Sequence, residues 1–223
     1  MNNLEKPFID QYAIILTCSV HTGPQIDCLH QRDPNTRKNL YIRSITNWIT
    51  KTEFKIIVVE NSGEFFPELN SLIEKYKDRL EFFSINDYDQ FPHIRDHRSK
   101  GIHEICAIDY AIEHSSLIRS CNFVIKITGR FFIPGLESFL SKKDSKHFEA
   151  LRQSDPSRCE MLGCHLSQIN NVFKPSLDPG DPYDFMEQVW KNRIDSIPRI
   201  IQCPLFPISS TPRGGVNSCY DNI

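Results

Sequence analysis

Phe54-Lys-Ile-Ile-Val-Val-Glu-Asn-Ser-Gly63 is a short apolar run, β-branched at its centre, that stops at an acid, an amide, a hydroxyl and a glycine. That pattern predicts a buried strand running into a polar loop. A plain surface turn after a core strand carries the same signature, so the stretch by itself assigns no function. In open α/β sheets, ligands bind just outside the carboxyl ends of the strands. Glu60, placed there, can accept hydrogen bonds from a ribose or a base edge, with Asn61 beside it.

Outward from this stretch, strand and helix patterns alternate. Apolar runs predict strands over residues 12–16, 55–59, 80–85, 123–128 and 161–166, with 131–133 extending the fourth. Residues 37–52 read as a helix with Tyr41, Ile45, Trp48 and Ile49 on one face. Residues 68–78 repeat the pattern through Leu69, Leu72, Ile73 and Tyr76, and residues 102–116 through Ile102, Ile105, Ile108 and Ile112. Asp181-Pro182 opens a last helix with Phe185, Met186, Val189 and Trp190 as its apolar face, since Asp caps well and Pro suits the first helical position. Residues 21–35 and 86–101 read as polar loops, and the proline-containing tail 198–223 as irregular. The alternation predicts one α/β domain spanning residues 1–223, with a mainly parallel central sheet and helices on both faces. Its core covers about residues 10–200.

The 223 residues carry a formal net charge of -2, so no bulk basic field is present to hold nucleic acid or an anionic membrane. Any phosphate must therefore meet a local cluster of cations. No apolar run reaches the ~18–20 residues of a membrane span, and residues 1–10 lack the apolar core of a signal peptide. The eight cysteines form no C-x-x-C pair and several fall in core segments. Free thiols in a reducing, cytoplasmic compartment are the expectation, and a zinc site lacks its ligand spacing.

The familiar P-loop, G-x-G-x-x-G and G-x-S-x-G motifs are missing. Two cationic clusters remain. Residues 92–101 lead into a helix through Lys100-Gly101, where unpaired N–H groups and the helix dipole favour a phosphate. Lys126-Ile-Thr-Gly-Arg130 is the second. Strand alternation puts Lys126 and Thr128 on one face, and a lysine in so apolar a strand is costly unless paired. Arg130, beyond the strand end, can fork onto a diphosphate or pair with a core acid. Acids suited to catalysis cluster late, as Asp178, Asp181, Asp184 and Glu187. Asp181 is the helix cap; Asp184 and Glu187, three apart, share a face and are candidate bases. Arg213-Gly-Gly215 can close as a flap over a diphosphate.

Over residues 10–200 this order of elements resembles a nucleotide-sugar glycosyltransferase of the GT-A fold. Val58-Val-Glu-Asn-Ser-Gly63 is similar to the strand end that meets the nucleoside, and Lys100-Gly101 to the start of the helix preceding the central acidic motif. Ile125-Lys-Ile-Thr-Gly-Arg-Phe131 falls where that family carries D-x-D, and its K-I-T-G-R-[FY] string resembles a narrower set of candidate sugar transferases from polysaccharide loci and large DNA viruses. The resemblance implies transfer of a sugar from a UDP-, GDP- or dTDP-sugar to a hydroxyl of a glycan or other acceptor. Thr17, Glu60, Asn61, Lys100, Lys126, Thr128, Arg130 and Arg213 would bind the donor, and Asp184 or Glu187 would act as base. The family commonly holds Mn²⁺ or Mg²⁺ with D-x-D, and here Lys126, Thr128 and Arg130 stand instead. Metal-independent transfer is the expectation that follows, with Asp87-Tyr-Asp89 as a displaced alternative for Mn²⁺ or Mg²⁺. Two rival readings are a nucleotidyltransferase, disfavoured by the glycine-poor Thr17–Gly23 loop without Lys or Arg, and a non-catalytic nucleotide-sugar or glycan-binding module.

Overall fold

The computed structural model describes residues 8–23, 26, 29–94, 97–176, 186–215 and 217–223. Among these, seven strands build one sheet in the order β3-β2-β1-β4-β6-β5-β7. They are β1 (Tyr12–Cys18), β2 (Lys55–Glu60), β3 (Leu80–Ser84), β4 (Phe123–Thr128), β5 (Ala150–Arg152), β6 (Met161–His165) and β7 (Ile200–Gln202). β1 to β4 are mutually parallel. β6 runs antiparallel to both β4 and β5, and β7 pairs parallel to β5. A separate antiparallel hairpin joins β8 (Pro207–Pro212) to β9 (Cys219–Asn222). The helices are α1 (Pro34–Lys51), α2 (Asn70–Lys75), α3 (Asp87–Gln90), α4 (Lys100–His114), α5 (Ser116–Arg119), α6 (Leu136–Leu140), α7 (Ile169–Phe173) and α8 (Met186–Asp195).

β1 is buried at every position because helices cover both faces of the sheet, which is why its sequence is a continuous run rather than an alternating one. Alternate residues feed two cores. Ile14, Leu16, Ile56 and Val58 pack with Ile45 and Trp48 of α1 on one face. Ala13, Ile15, Ile57 and Val59 pack with Ile105 and Ile108 of α4 and Trp190 of α8 on the other. Asp33 caps α1 by accepting from Thr36 N at 2.7 Å, ahead of Pro34, and Ser99 caps α4 by accepting from Gly101 N at 3.1 Å. No described helix is long and apolar enough to cross a membrane.

Several expectations change. Residues 131–133 do not extend β4: Phe131 N turns back to Thr128 O at 3.0 Å and Gly129 N bonds Thr17 O at 2.8 Å. The helix expected over 68–78 is a 3₁₀ turn, Pro67–Leu69, followed by the short α2. Loop 86–101 contains α3 and a 3₁₀ turn, Pro92–Ile94. The tail is not irregular, since it forms β7, β8 and β9; the three-residue β7 is too short to show a period, and prolines end the β8 edge strand. β5 is equally short. Asp178, Asp181, Pro182 and Asp184 lie outside the described residues.

This topology fixes where a ligand can sit. From β1 the chain builds outward to β2 and β3 on one side, then crosses back to β4 on the other. The crevice between the carboxyl ends of β1 and β4 is therefore the switch point of the sheet.

Candidate active site

A cleft enclosing about 1000 Å³, open solvent at its mouth included, lies at that switch point. Thr17 and Cys18 end β1 on its floor, Asn61 follows β2, and Thr128 and Arg130 follow β4. Lys100, His103 and Glu104 of α4 line it with Glu187 of α8, as do Cys159 and Glu160, which precede β6. Gly129 lets β4 leave the sheet so close to β1: a Cβ there would stand 2.7 Å from Thr17 O and 2.6 Å from Cys18 Sγ.

Arg130 faces this space, which Arg37 and Lys100 also line. Its Nε is enclosed without a partner, and the side chain makes no ion pair or hydrogen bond among the described residues. Its guanidinium lies 5.0 Å from the Phe131 ring centroid. Burial pushes it below its ordinary value, and neighbouring Arg37 pushes the same way. Arg37 is spent on the loop after β1, donating to Ser19 O at 2.7 Å, Gln31 O at 3.0 Å and Tyr41 Oη at 3.0 Å. Arg213 joins Arg37 and Arg130 around a small adjoining pocket and lies 4.2 Å from the Tyr220 ring centroid. Gly214 presses on Arg130, where a Cβ would come within 3.0 Å of Nη2, and its carbonyl accepts from His30 N at 2.9 Å. None of the three arginines has a carboxylate partner among the described residues. Three guanidinium groups without an ion-pair partner among the described residues gather in one half-enclosed place, which favours a polyanion.

Lys126 is different. It is fully buried, and its Nζ meets Glu104 Oε1 at 2.9 Å, Cys159 O at 2.9 Å and the Trp190 ring at 4.6 Å. Burial alone would lower its pKa, but the Glu104 carboxylate beside it wins and raises it. Its charge is closed off from the cleft, which removes the direct phosphate contact expected from the sequence. Glu104 also accepts from Thr17 Oγ1 at 2.6 Å, so α4, β1 and β4 meet in one network.

Glu60 is wholly buried and also turns away from the cleft. Oε1 accepts from Val20 N at 2.8 Å and Ser62 Oγ at 2.5 Å; Oε2 accepts from Ser62 N at 3.0 Å and Glu64 N at 2.8 Å. Burial raises its pKa against these four donors. Instead of the nucleoside contact expected, it ties the loops after β1 and β2 together. Gly63, with φ of 80°, completes that turn.

On the α4 side, His103 Nδ1 meets Asp87 Oδ2 at 2.8 Å and Nε2 meets His97 O at 3.0 Å. Asn61 Nδ2 donates to the same Asp87 oxygen at 3.3 Å and to His103 O at 3.4 Å. Burial alone would lower the His103 pKa; its two acceptors outweigh burial and raise it. Asp87 is thus taken up by His103 and Asn61. Across the cleft, Glu160 accepts from Gln153 Nε2 at 3.1 Å and Arg158 Nε at 3.3 Å. Burial would raise Glu160, yet the Tyr220 hydroxyl and Arg158 hold it below its ordinary value. Glu187 is exposed on the cleft wall.

Among the described residues, no group of three or more His, Cys, Asp or Glu side chains is placed to hold a metal ion. At the end of β4 stand Thr128 and Arg130, and a guanidinium does not fit a divalent cation's donor set. Of the residues expected from sequence, Thr17, Asn61, Lys100, Thr128, Arg130 and Glu187 meet at one cleft, and Arg213 lies beside it. Arg37, His103, Glu104 and Glu160 are additions. Only Glu104 had a signal, because a lysine inside an apolar strand requires an acid nearby.

No protein-family model matches the chain, and no curated protein does. Among solved structures it is similar to a candidate nucleotide-diphospho-sugar transferase from Desulfovibrio desulfuricans, at 14% identity and a TM-score of 0.47 over 87% of this chain and 80% of that one. It is similar to TarS from S. aureus at 12% identity and a TM-score of 0.49, over 86% of this chain and 58% of that one. It is similar to the galactosyltransferase LgtC, solved with donor and acceptor sugar analogues, at 12% identity and a TM-score of 0.44 over 85% and 72%. The likeness is one of fold. The chemistry of the cleft rests on its own side chains.

Proposed function

We propose that the chain is a glycosyltransferase that moves a sugar from a nucleotide sugar to a hydroxyl of a glycan or other acceptor. One observation carries the reading: Arg130, without a hydrogen-bonding partner, opens onto the switch-point cleft where the sheet concentrates its ligand-binding loops. The donor diphosphate lies against Arg130, with Arg37, Arg213 and Lys100 adding positive charge. The nucleoside lies toward Thr17 and Asn61. A carboxylate at the acceptor side, Glu187 or Asp184, takes the acceptor hydroxyl proton as that oxygen attacks the anomeric carbon. The bond from that carbon to the diphosphate oxygen breaks, and the nucleoside diphosphate leaves with the electron pair. Arg130 stabilises the charge gathering on the leaving oxygen, as preorganised positive charge does in a half-enclosed site. Transfer without a bound metal follows from guanidinium groups standing where acids would hold one. Seven described cysteines are free thiols, which fits a cytoplasmic setting.

The test is a thermal-shift panel of UDP-, GDP- and dTDP-sugars, each with Mn²⁺ and with EDTA. A donor at ~100 times its Kd stabilises by ~2.7 kcal/mol. The expected result is a shift with one base family in EDTA, lost in Arg130→Ala. A shift that requires Mn²⁺ would overturn the metal-independent part, and labelled sugar on no acceptor would overturn transfer.

A further inference from the structure

The opposite end of the sheet carries a second charged feature. A depression enclosing about 600 Å³, open solvent included, lies where β5 and β7 begin. Lys142, Lys143, His147 and Arg199 surround it, over Phe148, Ile200 and Ile201. β5 and β7 run in the direction of β1 and β4, so this end is removed from the cleft by the length of a strand, ~20 Å.

The cations here are less fully paired than Lys174 and Lys38 elsewhere on the surface. Lys174 pairs with Asp109 and Glu113, and Lys38 with Glu64 and Glu68. Lys142, Lys143 and His147 make no ion pair among the described residues, and the partner of Arg199 is Glu149 at 3.6 Å. Asp144 also lines the depression, where its Oδ1 accepts from Lys146 N at 3.0 Å. In a chain of formal net charge -2 this is a local positive surplus.

The backbone that presents these cations is pinned. Tyr12 Oη donates to Lys143 O at 2.9 Å, and Ser145 Oγ to Gln11 Oε1 at 2.5 Å. Lys143 N bonds Leu140 O at 2.9 Å, and His147 N bonds Asp144 O at 3.1 Å. Glu149 N and Ala150 N both donate to Arg199 O, at 2.8 and 3.1 Å, setting the arginine beside the lysine loop. Cations on a fixed backbone lose less freedom on meeting an anion than cations on a mobile loop.

We propose that this depression is a second anion site that takes a phosphate group on a ligand other than the sugar donor. Lys142, Lys143 and Arg199 donate to the phosphate oxygens, and Arg199 offers the forked contact. A soluble phosphate compound and an anionic lipid headgroup present the same chemistry. The proposal stands apart from the transferase reading, since it uses none of the cleft residues.

Isothermal titration of the full chain with inorganic pyrophosphate tests it, beside sedimentation with phosphatidylcholine vesicles with and without phosphatidic acid. Lys142→Gln/Lys143→Gln and Arg130→Ala are run in parallel. The expected result is that the lysine double variant loses one class of binding by ~10-fold or more while Arg130→Ala retains it. If pyrophosphate shows the loss, the source is soluble; if only phosphatidic acid vesicles show it, the source is a headgroup. Both support the site. Arg199→Gln gives the same loss without touching the loop. Binding that the lysine and Arg199 variants leave unchanged, or no binding in either arm, overturns the proposal.

Discussion

Lys126 and Arg130 lie four residues apart and are used in opposite ways. Lys126 is fully buried against Glu104, whereas Arg130 has no carboxylate in ion-pair contact among the described residues. Lys126→Met should therefore cost stability, because it strands Glu104 beside an apolar side chain. Breaking a buried pair costs about 3–5 kcal/mol, and the part-exposed Glu104 puts this case toward about 2–3 kcal/mol. Adding Glu104→Gln should recover part of that loss in a urea-denaturation cycle; a strictly additive cycle would argue against the pairing. His103 predicts a pH effect. Its folded pKa is raised above the ordinary 6.5. The stabilisation is complete below that value and fades as pH rises through the folded one. The stability of the wild type relative to Asp87→Asn should fall as pH rises past 6.5 and through the raised folded value. A flat difference would mean that His103 gains nothing from Asp87.

Elements, more than residues, decided what could be read in advance. β1, β2 and β4 are continuous β-branched runs, and the long helices α1 and α4 keep their apolar stripes, so order and type were legible. β5 and β7 have three residues each and show no period at all. Their pairing exists because β6 reverses beside β4 and offers an edge, which is a tertiary fact. The site divides likewise. Residues that follow a strand, such as Asn61, Thr128 and Arg130, could be placed from the sheet rule, but Glu160 precedes a strand that runs backwards. Lys126 and Glu60 carried clear polar signals in apolar surroundings, yet the same signal fits a ligand contact and an internal brace. Glycines give the prediction at this scale. Gly129→Ala drives a Cβ against the Thr17 backbone at 2.7 Å and should cost about 1–3 kcal/mol with loss of donor binding. Gly101→Ala puts a Cβ onto Met186 Cγ and 2.9 Å from its Cβ, the fixed end of a buried side chain, so α4 and α8 must part, and the ~1 kcal/mol helix preference of alanine does not offset that. Both variants should lower the denaturation midpoint, and an unchanged midpoint in either would argue against the close packing at that glycine.

The whole molecule is a deeply buried sheet with a more exposed hairpin beside its cleft. Strands β1, β2 and β4 are almost entirely buried, whereas β8 and β9 pair only with each other and expose much of their length. Hydrogen exchange should follow that division, the central strands opening only with global unfolding and the hairpin amides exchanging far sooner. Saturating nucleotide sugar should slow the hairpin, because Gly214 abuts Arg130; an unchanged hairpin would disconnect it from the donor. The reversal of β6 has a wider consequence. Because that strand runs against its neighbour, the turn joining β5 to β6 delivers Cys159 and Glu160 to the same cleft that the parallel half reaches from its strand ends. That turn is tied to the parallel half, since Cys159 O accepts from Lys126 Nζ, which pairs with Glu104 of α4, and Glu160 acts on the charge of Arg130. A swap of residues 154–160 would therefore reach the arginine cluster as well as the turn itself.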